Sequence, residues 1–411
     1  MNAPQTSIVL VPLIAVLAPL IARAFAPWLR VPIIVFEIIL GIVVGPSMLG
    51  WVHPSELLDF LADIGLAMLF FVAGSEIEFR AIRGRPLARS GLGWVASLAM
   101  GLAAGWVIAP GEPAVFIAVA LSSTALGTIL PILRDSGDLR RPFGSAATAI
   151  GAVGEFAPLV AISVFLGVRD VGVSTFVLLG FVVVTGVGIW LATRLPNEKL
   201  QTFIASTLHT SGQFAIRVIV LAIAALVTLS LVLDLDMLLG AFAAGVLWKV
   251  IMSRGRAEDR EAVDSKVEAL AFGFLVPIFF VCTGIGFDLG ALLAHPLSLA
   301  LVPVFLVLLL ITRGLPAQAV APAGSSVRDR VSLGLFAATG LPIIVAVTAI
   351  GVDEKVLSPA LASALVGAGM LSVLLYPLIA MLVRPPRVAA SEPVESESEP
   401  PADPGLIGDV Y

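Results

Sequence analysis

Hydrophobic residues in this chain come in long blocks, and short clusters of charge, Gly and Pro separate them. The blocks fall near residues 7–22, 31–48, 57–79, 91–110, 113–133, 145–168, 173–193, 214–233, 237–252, 267–287, 297–321, 331–351 and 357–383. A helix of about 20 apolar residues crosses the roughly 30 Å of bilayer hydrocarbon. The pattern therefore predicts an all-α polytopic membrane protein of about 13 transmembrane helices, with its ends on opposite sides of the bilayer. The least regular blocks are the tenth, with Lys266 and Glu268 at its start, and the eleventh, which contains Arg313.

Positive charge orients these helices, because cytoplasmic connections hold the excess of Lys and Arg. With the N-terminus outside, twenty Lys and Arg fall on the inner side, including Arg80, Arg83, Arg85 and Arg89 after the third span. Leaving aside Arg217 and Arg313, which sit within or at the edge of spans, only Arg169 and Lys355 fall outside. Adding or dropping a span in mid-chain would scramble this asymmetry, so it supports the count and makes the C-terminus cytoplasmic. From Arg384 onward the sequence turns to Pro, Ser, Glu and Asp. That composition buries no core and reads as a disordered acidic tail over 384–411. The first block lacks the basic n-region and cleavage site of a signal peptide and reads as a retained helix.

Composition narrows the function. The 411 residues are 59% hydrophobic and 13% charged, and the hydropathy is spread along the chain, so no sizeable soluble domain fits beside the spans. A net charge of −5 without a polybasic patch excludes a nucleic-acid binder. Cys282 alone, with His53, His209 and His295 dispersed, excludes a disulfide framework and a zinc site of the usual spacing. No cofactor is expected. No Ser/His pair, paired membrane aspartates or His-rich cluster supports an intramembrane enzyme.

A charged side chain at mid-membrane costs about 2.5–3.5 kcal/mol, so each one asks for a reason. Glu155 in the sixth span is the deepest acid, with no other charge between Arg141 and Arg169. Arg313 either points into the bundle or snorkels to the cytoplasmic surface. Glu37 is either half of a packed pair or a cavity-lining group, and Glu76 and Glu78 read as interfacial partners of the Arg80 to Arg89 cluster.

The backbone is interrupted as well. The fifth span carries Ser122, Ser123 and Thr124 ahead of Gly127 and Pro131, and the twelfth carries Thr339, Gly340 and Pro342. Pro removes a donor and Gly tolerates an unwound conformation, so both segments are candidate helix breaks. Backbone groups freed at membrane depth are tolerated where they line a cavity or site, and carbonyls with nearby hydroxyls are hard oxygen ligands suited to an alkali cation. Either segment alone also reads as a kinked helix with hydroxyls bonded to the preceding turn. Position favours breakage: if spans 1–6 and 8–13 form two inverted sets of six, the interruptions fall at the fifth member of each, the pattern that marks a transporter's central site.

These residues resemble the cation:proton antiporter superfamily, the bacterial sodium/hydrogen exchangers and related potassium/proton antiporters, over almost the whole membrane region. VPIIVFEIILGIVVGPSMLG, running from Val31 to Gly50, is similar to the second-span signature with Glu37, Gly41, Gly45 and Pro46 in place. IGLAMLFFVAGSEIE from Ile64 resembles the third-span motif, and LGAFAAGVL from Leu239 and PIFFVCTG from Pro277 resemble the ninth and tenth. The resemblance implies a multi-pass protein of the prokaryotic inner membrane. It also implies that the ion-binding carboxylate of the sixth span, usually Asp in an Asp-Asp, Asn-Asp or Gln-Asp pair, corresponds to Glu155 in the pair Gly154-Glu155, which departs from the usual pattern.

The resemblance further places Arg313 beside that carboxylate as a countercharge. It implies a core bundle (spans about 91–168 and 297–383) moving against a dimerising panel (about 7–79 and 214–287), with 173–193 as the link and a homodimer as the assembly. The transmembrane antiporter domain is then 1–383. The expected activity is antiport of Na⁺ or K⁺ against H⁺, with Glu155, Ser122, Ser123, Thr124 and Thr339 as the binding groups and one proton exchanged per cation. Other readings stay open: a cation-coupled solute symporter or channel on the same broken helices, or a membrane sensor signalling through the tail.

Overall fold

A computed structural model of the protein describes residues 3–25, 32–76, 84–139, 141–165, 171–194, 213–253, 256–294 and 296–384. Glu78, Arg80, Arg83, Arg169, His209, His295 and the acidic tail beyond Arg384 lie outside the described residues, as do Arg30, Arg140, Lys199, Arg254 and Arg387.

Among the described residues the structure is helical, without strands. The order is α1 (Ala3–Phe25), α2 (Ile33–Val44), α3 (Glu56–Glu76), α4 (Arg85–Ile108), α5 (Glu112–Leu121), α6 (Leu126–Asp135), α7 (Pro142–Phe165) and α8 (Val171–Arg194). Then come α9 (Phe214–Val232), α10 (Met237–Met252), α11 (Ala257–Leu270), α12 (Val276–Ile285), α13 (Leu289–Ala294), α14 (Pro296–Leu309), α15 (Leu315–Ala317), α16 (Val327–Ala337), α17 (Pro342–Asp353) and α18 (Pro359–Val383). Nine helical stretches among the described residues are long and apolar enough to cross a membrane, and the shorter apolar helices Val9–Phe25, Ile33–Val44, Gly172–Gly188 and Met237–Met252 account for the remaining blocks.

Local chemistry sets the ends of these helices. Gly84 and Gly111, at φ 89° and 98°, turn the chain into α4 and α5, each of which opens with a Pro in its first turn. Ser326 and Asp329 form a reciprocal capping box on α16. Asp236 caps α10 by accepting the Leu238 N–H at 2.8 Å.

Two π-turns, Ala271–Leu275 between α11 and α12 and Leu310–Gly314 between α14 and α15, each end two residues before a proline, Pro277 and Pro316. Pro lacks the N–H that would close the ordinary turn on the residue four before it, so the helix widens there. The tenth span differs from expectation in one respect. Lys266 and Glu268 belong to a polar helix, α11, that precedes the apolar part of the span and is continuous with it through the first π-turn.

Two packing neighbourhoods stand out. In one, α3 lies along α10, α2 along α12, and α9 along α10; in the other, α4 packs on α5 and α7, while α14, α16 and α17 pack on α18. Contact in the first is backbone to backbone: a Cβ on Gly41 would stand 2.9 Å from Gly284 Cα. The enclosure is uneven. The apolar window of Val327–Asp353 is 83% buried and that of Glu112–Leu130 78%, against 17% for α4 and for α9. The two spans with polar interruptions are therefore the most enclosed, and side chains left outside, such as Leu92, Val107 and Phe176, are apolar, as a lipid-facing surface requires.

Candidate functional site: two helix breaks around a buried glutamate

The fifth and twelfth blocks are each two half-helices. The chain leaves helical conformation at 122–125, between α5 and α6, and at 338–341, between α16 and α17. The second break contains Thr339 and Gly340, and Pro342 opens α17. The first lies upstream of the residues singled out for it. Gly127 and Pro131 are inside α6, and the break itself consists of Ser122, Ser123, Thr124 and Ala125. The physical reason is that Ser122 and Ser123 close off the last turn of α5, while Thr124 and Ala125 bond to α7 and to the second break, so α6 starts afresh at Leu126 and Gly127 and Pro131 fall after that start.

The breaks are joined to each other. Ala125 N–H donates to Thr339 C=O at 2.7 Å, and the Thr124 hydroxyl donates to Ala337 C=O at 2.6 Å. The sixth span closes the arrangement. Pro158 in α7 has no N–H to offer the carbonyl of Gly154, four residues earlier, and that carbonyl accepts the Thr124 N–H at 2.9 Å. On the far side, Ser372 of α18 accepts the Gly340 N–H at 3.1 Å.

Arg313 points inward and is 1% exposed, which decides between the two orientations open from sequence. It sits in the second π-turn. Its Nε donates to the Thr124 hydroxyl oxygen at 2.8 Å and its Nη2 to Ile150 C=O at 2.8 Å, so one guanidinium fastens the first break to α7. Neither bond goes to the Glu155 carboxylate.

Glu155 is 4% exposed. The Leu126 amide, the first N–H of α6, is directed at its carboxylate, an anion at a helix N-terminus. Its Oε2 has no hydrogen-bond partner. Next to it, the Phe156 ring packs 5.2 Å from Phe242 of α10. Glu76, at the end of α3, is within electrostatic reach of Glu155. Arg80 and Arg83, the members of the arginine cluster nearest to Glu76 in sequence, lie outside the described residues.

The hydroxyls all donate to backbone carbonyls: Ser122 to Val119 at 2.9 Å, Ser123 to Ala120 at 2.7 Å and Thr339 to Leu335 at 3.1 Å. This back-bonding occupies their protons and leaves oxygen lone pairs, the side a cation would use. Glu37 is buried at 4% exposure in α2, which packs on α1 and α12.

A cleft of about 620 Å³ opens at the end of the molecule where α3 and α10 begin. Asp59, Asp63, Asp236, Asp288 and Asp353 line it, without Lys or Arg. Its walls descend to Leu66, Phe279 and Val345 and do not include Glu155. Among the described residues, no group of three or more His, Cys, Asp or Glu is placed to hold a metal ion.

Comparison with known proteins agrees with this architecture. Residues 13–383 match the family model described as sodium/hydrogen exchanger, transmembrane. The chain is similar to the Na(+)/H(+)-K(+) antiporter GerN of Bacillus cereus, 28% identical over 280 residues covering 62% of this chain and 65% of that protein. It is also similar to the Na(+)/H(+) antiporter of Enterococcus hirae, 21% identical over 363 residues covering 85% and 91%. Against Cation/H(+) antiporter 19 of Arabidopsis thaliana it spans half of the relative's length, and it spans less than two thirds of GerN. The solved structure of the sodium proton antiporter MjNhaP1 from Methanocaldococcus jannaschii at pH 8 superimposes with a TM-score of 0.67 at 15% identity, covering 92% of this chain and 96% of that one. With a family model spanning nearly all its helices, the chain belongs to the sodium/hydrogen exchanger transmembrane family.

Proposed function

We propose that the protein exchanges a monovalent cation, Na⁺ or K⁺, for a proton across the membrane, and that Glu155 holds either one in turn. The observation that carries this reading is the position of Glu155: a buried carboxylate with one unpartnered oxygen, at the first amide of α6, where two helix breaks meet. A buried carboxylate is costly unless it is neutralised, and a proton and an alkali cation are the two ways of neutralising it without a fixed partner. Competition for one group then produces exchange. The names of GerN and the Enterococcus hirae protein support the same chemistry.

Arg313 does not release a proton in the working pH range, and its two bonds hold the break to α7. It acts as a fixed charge and a fastener, which leaves one titrating carboxylate at the breaks and one proton per cation. Ser122, Ser123, Thr124 and Thr339 contribute oxygens. The equivalent placing of the two breaks, each in the fifth member of a six-span set, supports an inverted repeat. The two packing neighbourhoods support a core that carries the breaks and moves against a panel built on α2, α3, α10 and α12, with the dimer formed through the panel. The acid-lined cleft would be the outer mouth, in an inner membrane with the N-terminus outside.

Proteoliposomes holding an imposed pH gradient test the reading. Addition of Na⁺, K⁺ or Li⁺ should dissipate the gradient with the wild type and leave it intact with Glu155→Gln; exchange surviving in the variant would refute the assignment.

A further inference from the structure

At the end of the molecule where α4 and α16 begin, a groove of about 590 Å³ runs between these helices and the turn that follows Arg313. Leu92, Gly93 and Pro316 form apolar walls, and Arg89 and Arg330 reach it from different helices. No carboxylate lines the groove, and neither guanidinium takes part in an ion pair with the described residues. Arg384, on the same end, contrasts with them: it is held by two carboxylates.

The groove faces outward. Leu92 is 72% exposed, and an apolar side chain that exposed on a membrane-spanning helix meets lipid. Arg89 lies in the second turn of α4 and Arg330 in the first turn of α16, near the helix ends that the charge pattern assigns to the inner surface. Gly93 faces Pro316 across the groove: a Cβ there would stand 3.4 Å from the Pro316 carbonyl oxygen, in ordinary contact, so a larger side chain would project into the space between them.

We propose that this groove binds an anionic phospholipid, with the phosphodiester between Arg89 and Arg330 and an acyl chain along Leu92 and Gly93. Guanidinium groups match phosphate oxygens in a bidentate fork, and basic pockets between membrane helices on the side rich in Lys and Arg take anionic headgroups. The proposal stands apart from the antiport reading.

Native mass spectrometry of the full chain, solubilised and offered phosphatidylglycerol or phosphatidylcholine, tests it. The wild type should retain phosphatidylglycerol in preference to phosphatidylcholine. Arg89→Gln with Arg330→Gln should weaken that retention at least about tenfold, equivalent to about 1.4 kcal/mol. Gly93→Leu, which fills the acyl track and leaves the charge unchanged, should weaken it too. Arg256→Gln with Arg328→Gln, which removes equal charge from the same end outside the groove, should leave it unchanged. Equal retention by wild type and groove variants would overturn the proposal, as would equal loss in the control pair. Displacement of the lipid by millimolar inorganic phosphate would reassign the groove to a small anion.

Discussion

A side chain at position 154 would have no room. A Cβ built on Gly154 meets Nη2 of Arg313 and lies 2.6 Å from the Thr124 hydroxyl oxygen. Where the resemblance implies an Asp, Asn or Gln beside the carboxylate, two residues from elsewhere in the chain fill the space at Gly154 and make the hydrogen bonds across it. Restoring a side chain with Gly154→Asn should displace the Arg313 guanidinium and destabilise the protein by about 1–3 kcal/mol, as overpacking does. Thermal melting in detergent, alongside proteoliposome exchange, checks this. Unchanged melting and exchange would show that the space is not needed. The absence of a side chain at 154 was plain in the sequence, but its reason was not, because Thr124 and Arg313 are 30 and 159 residues away.

At the scale of the element, prolines decide where backbone groups become available. Pro158 frees the Gly154 carbonyl for Thr124, and Pro277 and Pro316 each follow a π-turn. Pro158→Ala would supply an N–H four residues after Gly154, and that N–H would compete with Thr124 for the carbonyl. The expected outcome is a slower cation-driven pH change with thermal stability kept or raised; exchange at the wild-type rate would show that the bond between α7 and the break is dispensable. This signal was open to sequence reasoning, since Gly154 and Pro158 have helical spacing. What misdirected the placing of the first break was the weight given to Gly127 and Pro131. A proline inside a helix removes one bond, whereas at the break Thr124 and Ala125 exchange their local bonds for distant ones to Gly154, Ala337 and Thr339.

Across the whole molecule, Arg384 at the end of α18 gathers the ends of both broken spans. Its guanidinium pairs with Asp138, between α6 and α7, and with Asp329 of α16 at 2.7 Å, and lies 4.0 Å over the Phe143 ring. The hydrogen bond from Arg384 holds the Asp138 carboxyl below its ordinary value of 3.8. A carboxylate depressed in the fold stabilises it above the unfolded value and loses that contribution as pH falls through the folded value. Arg384→Gln should therefore lower the melting temperature near neutrality, and its deficit against the wild type should shrink as the pH is taken below about 3.8. A deficit independent of pH would assign the effect to packing on Phe143. The proposed exchange of one proton per cation would make the cycle electroneutral: a potassium diffusion potential set by valinomycin should then leave the initial rate of Na⁺-driven exchange unchanged, and a rate that follows voltage would require a second charge.

The sequence by itself determined the helices, because each must cross a fixed thickness of hydrocarbon and satisfy its own backbone within the span. It also determined that Glu155, Arg313 and two interruptions were out of place in lipid. Tertiary structure alone decided how these exceptions satisfy one another: that Thr124 reaches Ala337, that Arg313 turns inward to Thr124 and Ile150, that Glu155 meets the first amide of α6, and that Glu76 comes near it. Hydrogen bonds within a span follow from neighbours in the chain. Those across helix breaks depend on which distant carbonyl has been left without a donor, and only the packed bundle brings the two together.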